Sequence, residues 1–366
     1  MPYPVRFLQS LCAVLAGFLL AGPCAAAPEL PALRFSLDWL FTGAHAPLLL
    51  AVDGGHLARE GLQVQVQRGF GAGDTVRRVA GGEIEVGMAD LSTIIAHNAA
   101  YPRQPVTAFY MLHDRAPLAI ISLEDKGIRT PADLRGKLLA APEGEAARTA
   151  FPVLARANGL DPSEVRWQSV EPALRETLLV AGAVDAIAGY TYAAVYLEMQ
   201  GVRRERIRIL RYADHGVELY GAALFARADF LRRHPQTTAA FARGINRGLL
   251  AAAAQPASAI GALRQRMGER MVAELESQRL RIAFDDAMLT PAVRRDGLSA
   301  VDPLRLQHQI ARVAGALRLA RVPETELVYT DDFLPPRAER QLPRTVTQRA
   351  ADCPPLRSAA AVPGCR

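Results

Sequence analysis

Asp38 and Trp39 are adjacent, which joins a hydrogen-bond acceptor to a broad, flat apolar face. An indole in the loop after a strand can stack on a flat heteroaromatic ring, a contact worth about 0.5–1.5 kcal/mol beyond area burial. Asp38 can accept from a ring amino group, at ~1.5–3 kcal/mol for a hydrogen bond to a charged group, or it can cap a turn. His45 opens the first helix-like segment and can donate to a ligand or to the backbone. Asp90 and Ser92 follow the strand expected at 84–89, and each also suits a helix cap. Gly144-Glu145 opens the first full helix of the second half. Helix N-termini favour anions, so an acid in that first turn works against an anionic ligand and suits amino groups. Tyr190 and Tyr192 follow the strand expected at 184–189. A tyrosine there can close the second face of an aromatic sandwich with Trp39. Tyr220, beside Glu218, borders the same region or simply packs.

The motifs that announce catalysis are missing from the sequence. There is no GxxxxGK[ST] loop, GxSxG elbow or HExxH helix. Gly69, Gly71 and Gly73 are followed by Asp74, Thr75 and Val76, so they make no dinucleotide fingerprint. The seven histidines are isolated, with no metal-ligand spacing. No metal and no cofactor are therefore expected. The formal charge is +6, carried almost wholly by arginine, since Lys126 and Lys137 are the only lysines. The basic residues are scattered and not interleaved with aromatics, which argues against a nucleic-acid partner.

Residues 1–27 read as a secretory signal: Arg6, an apolar run from Leu11 to Ala21, then the small residues after Pro23. The run is too short for a comfortable membrane span. A lipid anchor at Cys24 ranks second, because Pro23 suits that signal poorly. Cleavage removes Cys12 and Cys24 and leaves Cys353 and Cys365, which read as one disulfide closing a short tail loop.

The elements that must position these residues alternate. Strands are predicted over 33–37, 62–67, 84–89, 106–111 and 118–122, with a helix following Asp74 and another over 91–100. Asp74 is expected to cap the former. The pattern restarts with strands over 137–141, 165–169, 184–189 and 207–211 and helices over 146–158 and 172–181. A strand over 220–226 is followed by helices over 229–233, 235–254, 257–267 and 302–320. After Leu334 the chain is rich in Pro and Arg and is expected to be loosely attached. Such alternation indicates open, largely parallel α/β sheets. Gly82-Glu83-Ile84-Glu85 is echoed 100 residues later by Gly182-Ala183-Val184-Asp185, which makes Tyr190 the counterpart of Asp90. Two similar lobes, each binding at the carboxyl ends of its strands, would face each other across a cleft.

Four stretches carry a family resemblance. They are Leu37-Asp38-Trp39 with Ala44-His45-Ala46-Pro47, the run Gly55 to Leu62, the run Gly81 to Gly87, and Gly182 to Ala186. Over roughly 31–260 the chain resembles periplasmic solute-binding proteins of the group that also contains the eukaryotic thiamine-pyrimidine synthase. That group includes receptors for thiamine pyrimidine precursors, riboflavin, alkanesulfonates, taurine and nitrate. The first stretch is closest to the pyrimidine branch.

The resemblance implies a type II periplasmic-binding-protein fold: two α/β lobes, each a mostly parallel sheet flanked by helices, joined by two hinge crossings. Lobe 1 is expected over 31–112 plus 215–333, lobe 2 over 113–214, and a tail over 334–366. The crossings should lie near 112–117 and 211–220. A small-molecule ligand, an ABC permease in the inner membrane, a periplasmic location and a monomer follow as expectations. The expected ligand is a small heteroaromatic such as a thiamine pyrimidine precursor, held by Asp38, Trp39, His45, Asp90, Ser92, Glu145, Tyr190 and Tyr220. A sulfonate, taurine or nitrate receptor, or a sensor protein, is the alternative, with a thiamine pyrimidine synthase-like enzyme ranked last. The synthase uses a lysine that anchors pyridoxal phosphate and a histidine four residues later. Those places fall on Ala89 and Thr93, and the synthase's cysteine-rich segment has no counterpart. The chain is therefore expected not to be an enzyme.

Overall fold

A computed structural model describes residues 32–343 and residue 346. Two five-stranded sheets dominate it. The first contains β1 (Leu33–Ser36), β2 (Val64–Gln67), β3 (Val86–Asp90), β4 (Val106–Met111) and β10 (Ala222–Arg227), in the order β2-β1-β3-β10-β4. The second contains β5 (Leu118–Leu123), β6 (Leu138–Ala140), β7 (Arg166–Gln168), β8 (Ala186–Tyr190) and β9 (Ile207–Arg211), in the order β7-β6-β8-β5-β9. In each sheet four strands run one way and the fourth in order is reversed: β10 is antiparallel to β3 and β4, and β5 to β8 and β9. The sheets are thus mixed but mostly parallel. This is the two-lobed α/β architecture of the periplasmic-binding-protein fold.

β4 and β5 are buried at every position, as expected for largely apolar runs covered on both faces. The edge strands β2 and β7 alternate and keep solvent-facing residues.

The helices, in chain order, are α1 (Ala46–Asp53), α2 (Ala72–Ala80), α3 (Leu91–Ala100), α4 (Ala146–Ala157), α5 (Arg175–Val180), α6 (Ala194–Met199), α7 (Ala228–Arg233), α8 (Pro235–Ala254), α9 (Pro256–Met267), α10 (Ala273–Ala283), α11 (Pro291–Asp296), α12 (Pro303–Leu317) and α13 (Thr325–Val328). A π-helical turn, Phe284–Met288, continues α10. Sequence reading passed over α10 and this turn. α2 begins at Ala72 after Gly71, so Asp74 lies inside its first turn and does not cap it. Phe241 of α8 packs edge-on against Phe35 of β1 at 5.4 Å and Phe109 of β4 at 6.3 Å.

The chain leaves the first sheet after Met111 and enters the second at Leu118; it returns between Arg211 and Ala222. These two connections are bonded to each other. The Leu112 and His113 N–H groups donate to the Ala222 carbonyl, each at 2.9 Å, and the Gly221 N–H donates to the His113 carbonyl at 2.9 Å. The segment after Leu334 is not loosely attached as far as it is described. Leu298 and Arg340 exchange two hydrogen bonds, of 2.9 and 2.7 Å, and Asn246 of α8 donates to the Glu339 carbonyl. The expected signal segment 1–27 and the Cys353–Cys365 bridge lie outside the described residues.

Candidate functional site

β3 and β8 hold matching third places in their sheets, and both end in a buried polar side chain: Asp90 and Tyr190. Asp90 caps α3, its Oδ1 accepting from the Ser92 N–H at 2.9 Å. Its Oδ2 has no partner among the described residues, and neither has the hydroxyl of Ser92, Thr93 or Tyr190. Burial pushes the Asp90 carboxyl up to about 7, against the hydrogen bond from the Ser92 N–H and with help from the nearby charges of Glu145 and Asp38.

Asp38 follows β1 and is held from behind: its Oδ1 lies 3.0 Å from His45 Nε2, and His45 Nδ1 lies 3.1 Å from the Thr42 hydroxyl. A carboxylate only accepts, so Nε2–H donates to it. His45 therefore orients Asp38 and is not itself a lining residue. Glu145 is the N-cap of α4, accepting from the Arg148 N–H at 2.9 Å. Burial raises its carboxyl, with Arg175 acting in the opposite direction.

A cavity of about 50 Å³ is lined among others by Asp38, Trp39, Glu145, Arg175, Tyr190 and Tyr192. Arg175 is 3% exposed. Its guanidinium carbon sits 4.7 Å from the Trp39 ring centroid, and Nη1 donates to the Ala188 carbonyl at 3.0 Å. Gly189 makes room for it, because a Cβ there would meet Nη1 at 2.7 Å. Arg175 therefore takes a face of Trp39, where sequence reading placed a ligand ring. Arg279, which also lines the cavity, is paired with Glu276 at 2.6 Å, and Arg175 with Glu176 at 2.5 Å.

The cleft is shut at its edge. The Gly73 N–H donates to the Gly144 carbonyl at 2.9 Å, and a Cβ on Gly73 would come within 2.9 Å of the Gly144 Cα.

Of the residues expected from sequence, Asp38, Trp39, Glu145 and Tyr190 line the cavity, His45 braces Asp38, and Asp90 and Ser92 are fully buried and not among its lining residues. Tyr220 is not brought in. Its hydroxyl accepts from the Asp302 N–H at 2.8 Å, its ring lies 3.9 Å from the Arg305 guanidinium carbon, and its backbone is bonded by Gln309. All its groups are committed to α12. Sequence reading missed Arg175, Arg279 and His113. A buried arginine carries no local signal, and His113 looks like one more isolated histidine. Yet His113 is fully buried with neither ring nitrogen partnered among the described residues. Its ring stands edge-on to Tyr190 at 5.8 Å, and burial pushes its pKa down to about 4. No cluster of three His, Cys, Asp or Glu able to hold a metal occurs among the described residues, and none of their helices is long and apolar enough to cross a membrane.

The model of the family described as "NMT1/THI5 like" matches residues 42–259, more than half of the chain. The chain belongs to the NMT1/THI5-like family. It is 27% identical over 232 residues to a 4-amino-5-hydroxymethyl-2-methylpyrimidine phosphate synthase of Schizosaccharomyces pombe, covering 60% of this chain and only 64% of that one. It is 24% identical over 255 residues to a formylaminopyrimidine-binding protein of Halalkalibacterium halodurans, covering 68% of this chain and 76% of that one. Among solved structures, the alkanesulfonate-binding protein of Xanthomonas axonopodis pv. citri bound to MOPS superposes with a TM-score of 0.64 at 19% identity, over 82% of this chain and 98% of that one. That likeness shows the shared fold.

The expectation that the chain is not an enzyme is corrected by these relatives. The Schizosaccharomyces pombe protein and several others, including one from Legionella pneumophila, are named as synthases. The residues do not fit pyridoxal phosphate held as a Schiff base, which needs a lysine amine. Position 89 is a buried alanine on β3, and the chain's two lysines are engaged elsewhere, Lys137 with the Lys126 carbonyl and Lys126 with Asp185. The titratable groups lining the cavity are Asp38, Glu145, Arg175, Glu176, Tyr190, Tyr192 and Arg279.

Proposed function

We propose that this NMT1/THI5-like chain binds a small, flat heteroaromatic bearing amino and ring-nitrogen groups in the cleft between its sheets. The observation that carries this is the set of buried, unpartnered polar groups on Asp90, Ser92, Thr93, His113 and Tyr190. Each such group left without a partner costs roughly 1–3 kcal/mol, so a folded protein keeps few of them without a use. A ligand with several donors and acceptors on one flat ring satisfies many at once. The carboxyls of Asp38, Asp90 and Glu145 favour amino groups over an anion. Arg175 and Arg279, the cations at the cavity, already have acidic partners. The relative named for binding formylaminopyrimidine supports the same ligand class.

In this reading residues 31–112 with 215–333 and residues 113–214 move as two lobes about the crossings, by hinge closure around the ligand. The chain acts outside the cytoplasm, delivered by its first 27 residues, and presents its ligand to an ABC permease.

A thermal-shift panel tests the proposal, using 4-amino-5-hydroxymethyl-2-methylpyrimidine, its formylamino analogue, taurine, an alkanesulfonate and nitrate. A pyrimidine at a hundred times its Kd should add ~2.7 kcal/mol of apparent stability. A shift with the sulfonates or nitrate alone would overturn the heteroaromatic ligand.

A further inference from the structure

His113 stands where the two lobes are joined. It follows β4 at the start of the first crossing, and the second crossing is pressed against it. Its N–H donates to the Ala222 carbonyl and its carbonyl accepts from the Gly221 N–H, both at 2.9 Å. A Cβ on Gly221 would lie 2.9 Å from the His113 Cβ and 2.8 Å from the Ala116 Cα. The backbone is therefore clamped at this point.

The ring is fully buried, both nitrogens lack partners among the described residues, and it meets Tyr190 of the second sheet edge-on at 5.8 Å. The Tyr190 hydroxyl is unpartnered as well. A histidine kept only for packing would be replaced without loss by an apolar ring, since burying an unsatisfied polar group is unfavourable. Two adjacent orphaned side chains, one on the first crossing and one at the end of β8, share a single economical explanation: a third group bonds both.

We propose that the His113 imidazole hydrogen-bonds the bound heterocycle and selects ligands that bring a ring nitrogen or an amino group to the hinge. The inference rests on the cleft being the ligand site. With its pKa pushed down to about 4 by burial, the ring at neutral pH is uncharged. It offers one donor and one acceptor and so discriminates by hydrogen-bond pattern, not by charge. Because His113 belongs to the crossing itself, a ligand held there is held by the hinge as well as by the two lobes.

The test uses the mature protein with His113→Phe, His113→Leu, His113→Asn and His113→Gln. The two readouts are the ligand-free Tm and the Kd for 4-amino-5-hydroxymethyl-2-methylpyrimidine and for its benzene counterpart, which lacks the ring nitrogens. His113→Phe and His113→Leu should leave the ligand-free Tm unchanged or higher, while weakening pyrimidine binding tenfold or more and erasing the preference over the benzene analogue. Rescue by Asn assigns the contact to Nδ1, and rescue by Gln assigns it to Nε2. An unchanged Kd in both apolar variants overturns the proposal, as does a Tm loss of several degrees in both, which marks a structural imidazole. If the wild-type protein binds no pyrimidine, the ligand class above falls separately. The ligand-free Tm then decides alone: a fall in both apolar variants overturns the role of His113, and an unchanged or higher Tm supports it.

Discussion

Asp90 shows how much a single residue can reveal. It is a good helix cap and is fully buried with one oxygen unpartnered. Its pKa is raised from 3.8 in the unfolded chain to about 7 in the fold. A folded-state pKa above the unfolded one means that the native protein holds a proton the unfolded chain has lost between about pH 4 and 7. Stability from this group therefore falls as pH rises through that window and levels off above 7. The full shift corresponds to an upper limit on the order of 4 kcal/mol. Asn keeps the cap and cannot ionise, so Asp90→Asn should match wild type near pH 4 and exceed it at pH 8. Urea unfolding midpoints at the two pH values check this, and parallel curves for the two proteins would sink it. Much of the site was legible at this scale: Asp38, Trp39, Glu145 and Tyr190 were all singled out from their places after strands. What was not legible was partnership. Nothing in the sequence around His113 or Arg175 tells that one ring is left unbonded or that the other guanidinium crosses over to Trp39. Tyr220 failed for the same reason, because its partners sit on α12, more than 80 residues away.

Between elements, the repeat at a spacing of 100 proves structural. Gly82 and Gly182 both adopt left-handed backbone, with φ of 79° and 73°. The acid three residues on then bonds the neighbouring strand: Glu85 accepts from the Arg34 N–H of β1 at 2.8 Å, and Asp185 from the Leu138 N–H of β6 at 2.9 Å. Four sequence positions thus encoded how a turn feeds the third strand of each sheet. Strand alternation was readable because β4 and β5 are largely apolar runs. The reversal of β5 and β10 was not, since direction depends on which strands they meet after a crossing. Where α2 and the loop before α4 touch, the two glycines permit the contact. Gly73→Ala should suit the helix, by up to about 1 kcal/mol, while its Cβ obstructs closure against Gly144. The ligand-free Tm should hold or rise, and the ligand-induced shift should shrink at least tenfold in affinity terms. Calorimetric titration of both proteins checks this, and equal affinities would show that closure does not need the contact.

For the whole molecule, a second fastening lies on the π-helical turn. Asp286 accepts from the Thr191 hydroxyl at 2.8 Å across the cleft and lies 3.7 Å from Arg211 Nε. Its carbonyl also accepts from Arg115 on the first crossing at 3.0 Å. Asp286→Ala removes a hydrogen bond and an ion pair between the lobes, the hydrogen bond alone worth about 1 kcal/mol or roughly fivefold in affinity, and leaves each sheet intact. Small-angle scattering should show a larger radius of gyration for the ligand-free variant, with a matching loss of affinity. An unchanged scattering curve would deny this carboxylate any hold on closure.

The bond between Gly73 and Gly144 also has a kinetic meaning. A molecule enclosed behind it departs only after that bond has broken and the two loops have parted. Its dwell time is the waiting time of a door, on the microsecond-to-second scale of domain motions, and not the lifetime of any contact inside the chamber. A ligand gripping one lobe alone would leave as fast as the empty protein opens. Only one that clasps both lobes, as a ring bonded to Asp90 and Tyr190 would, can hold the door shut.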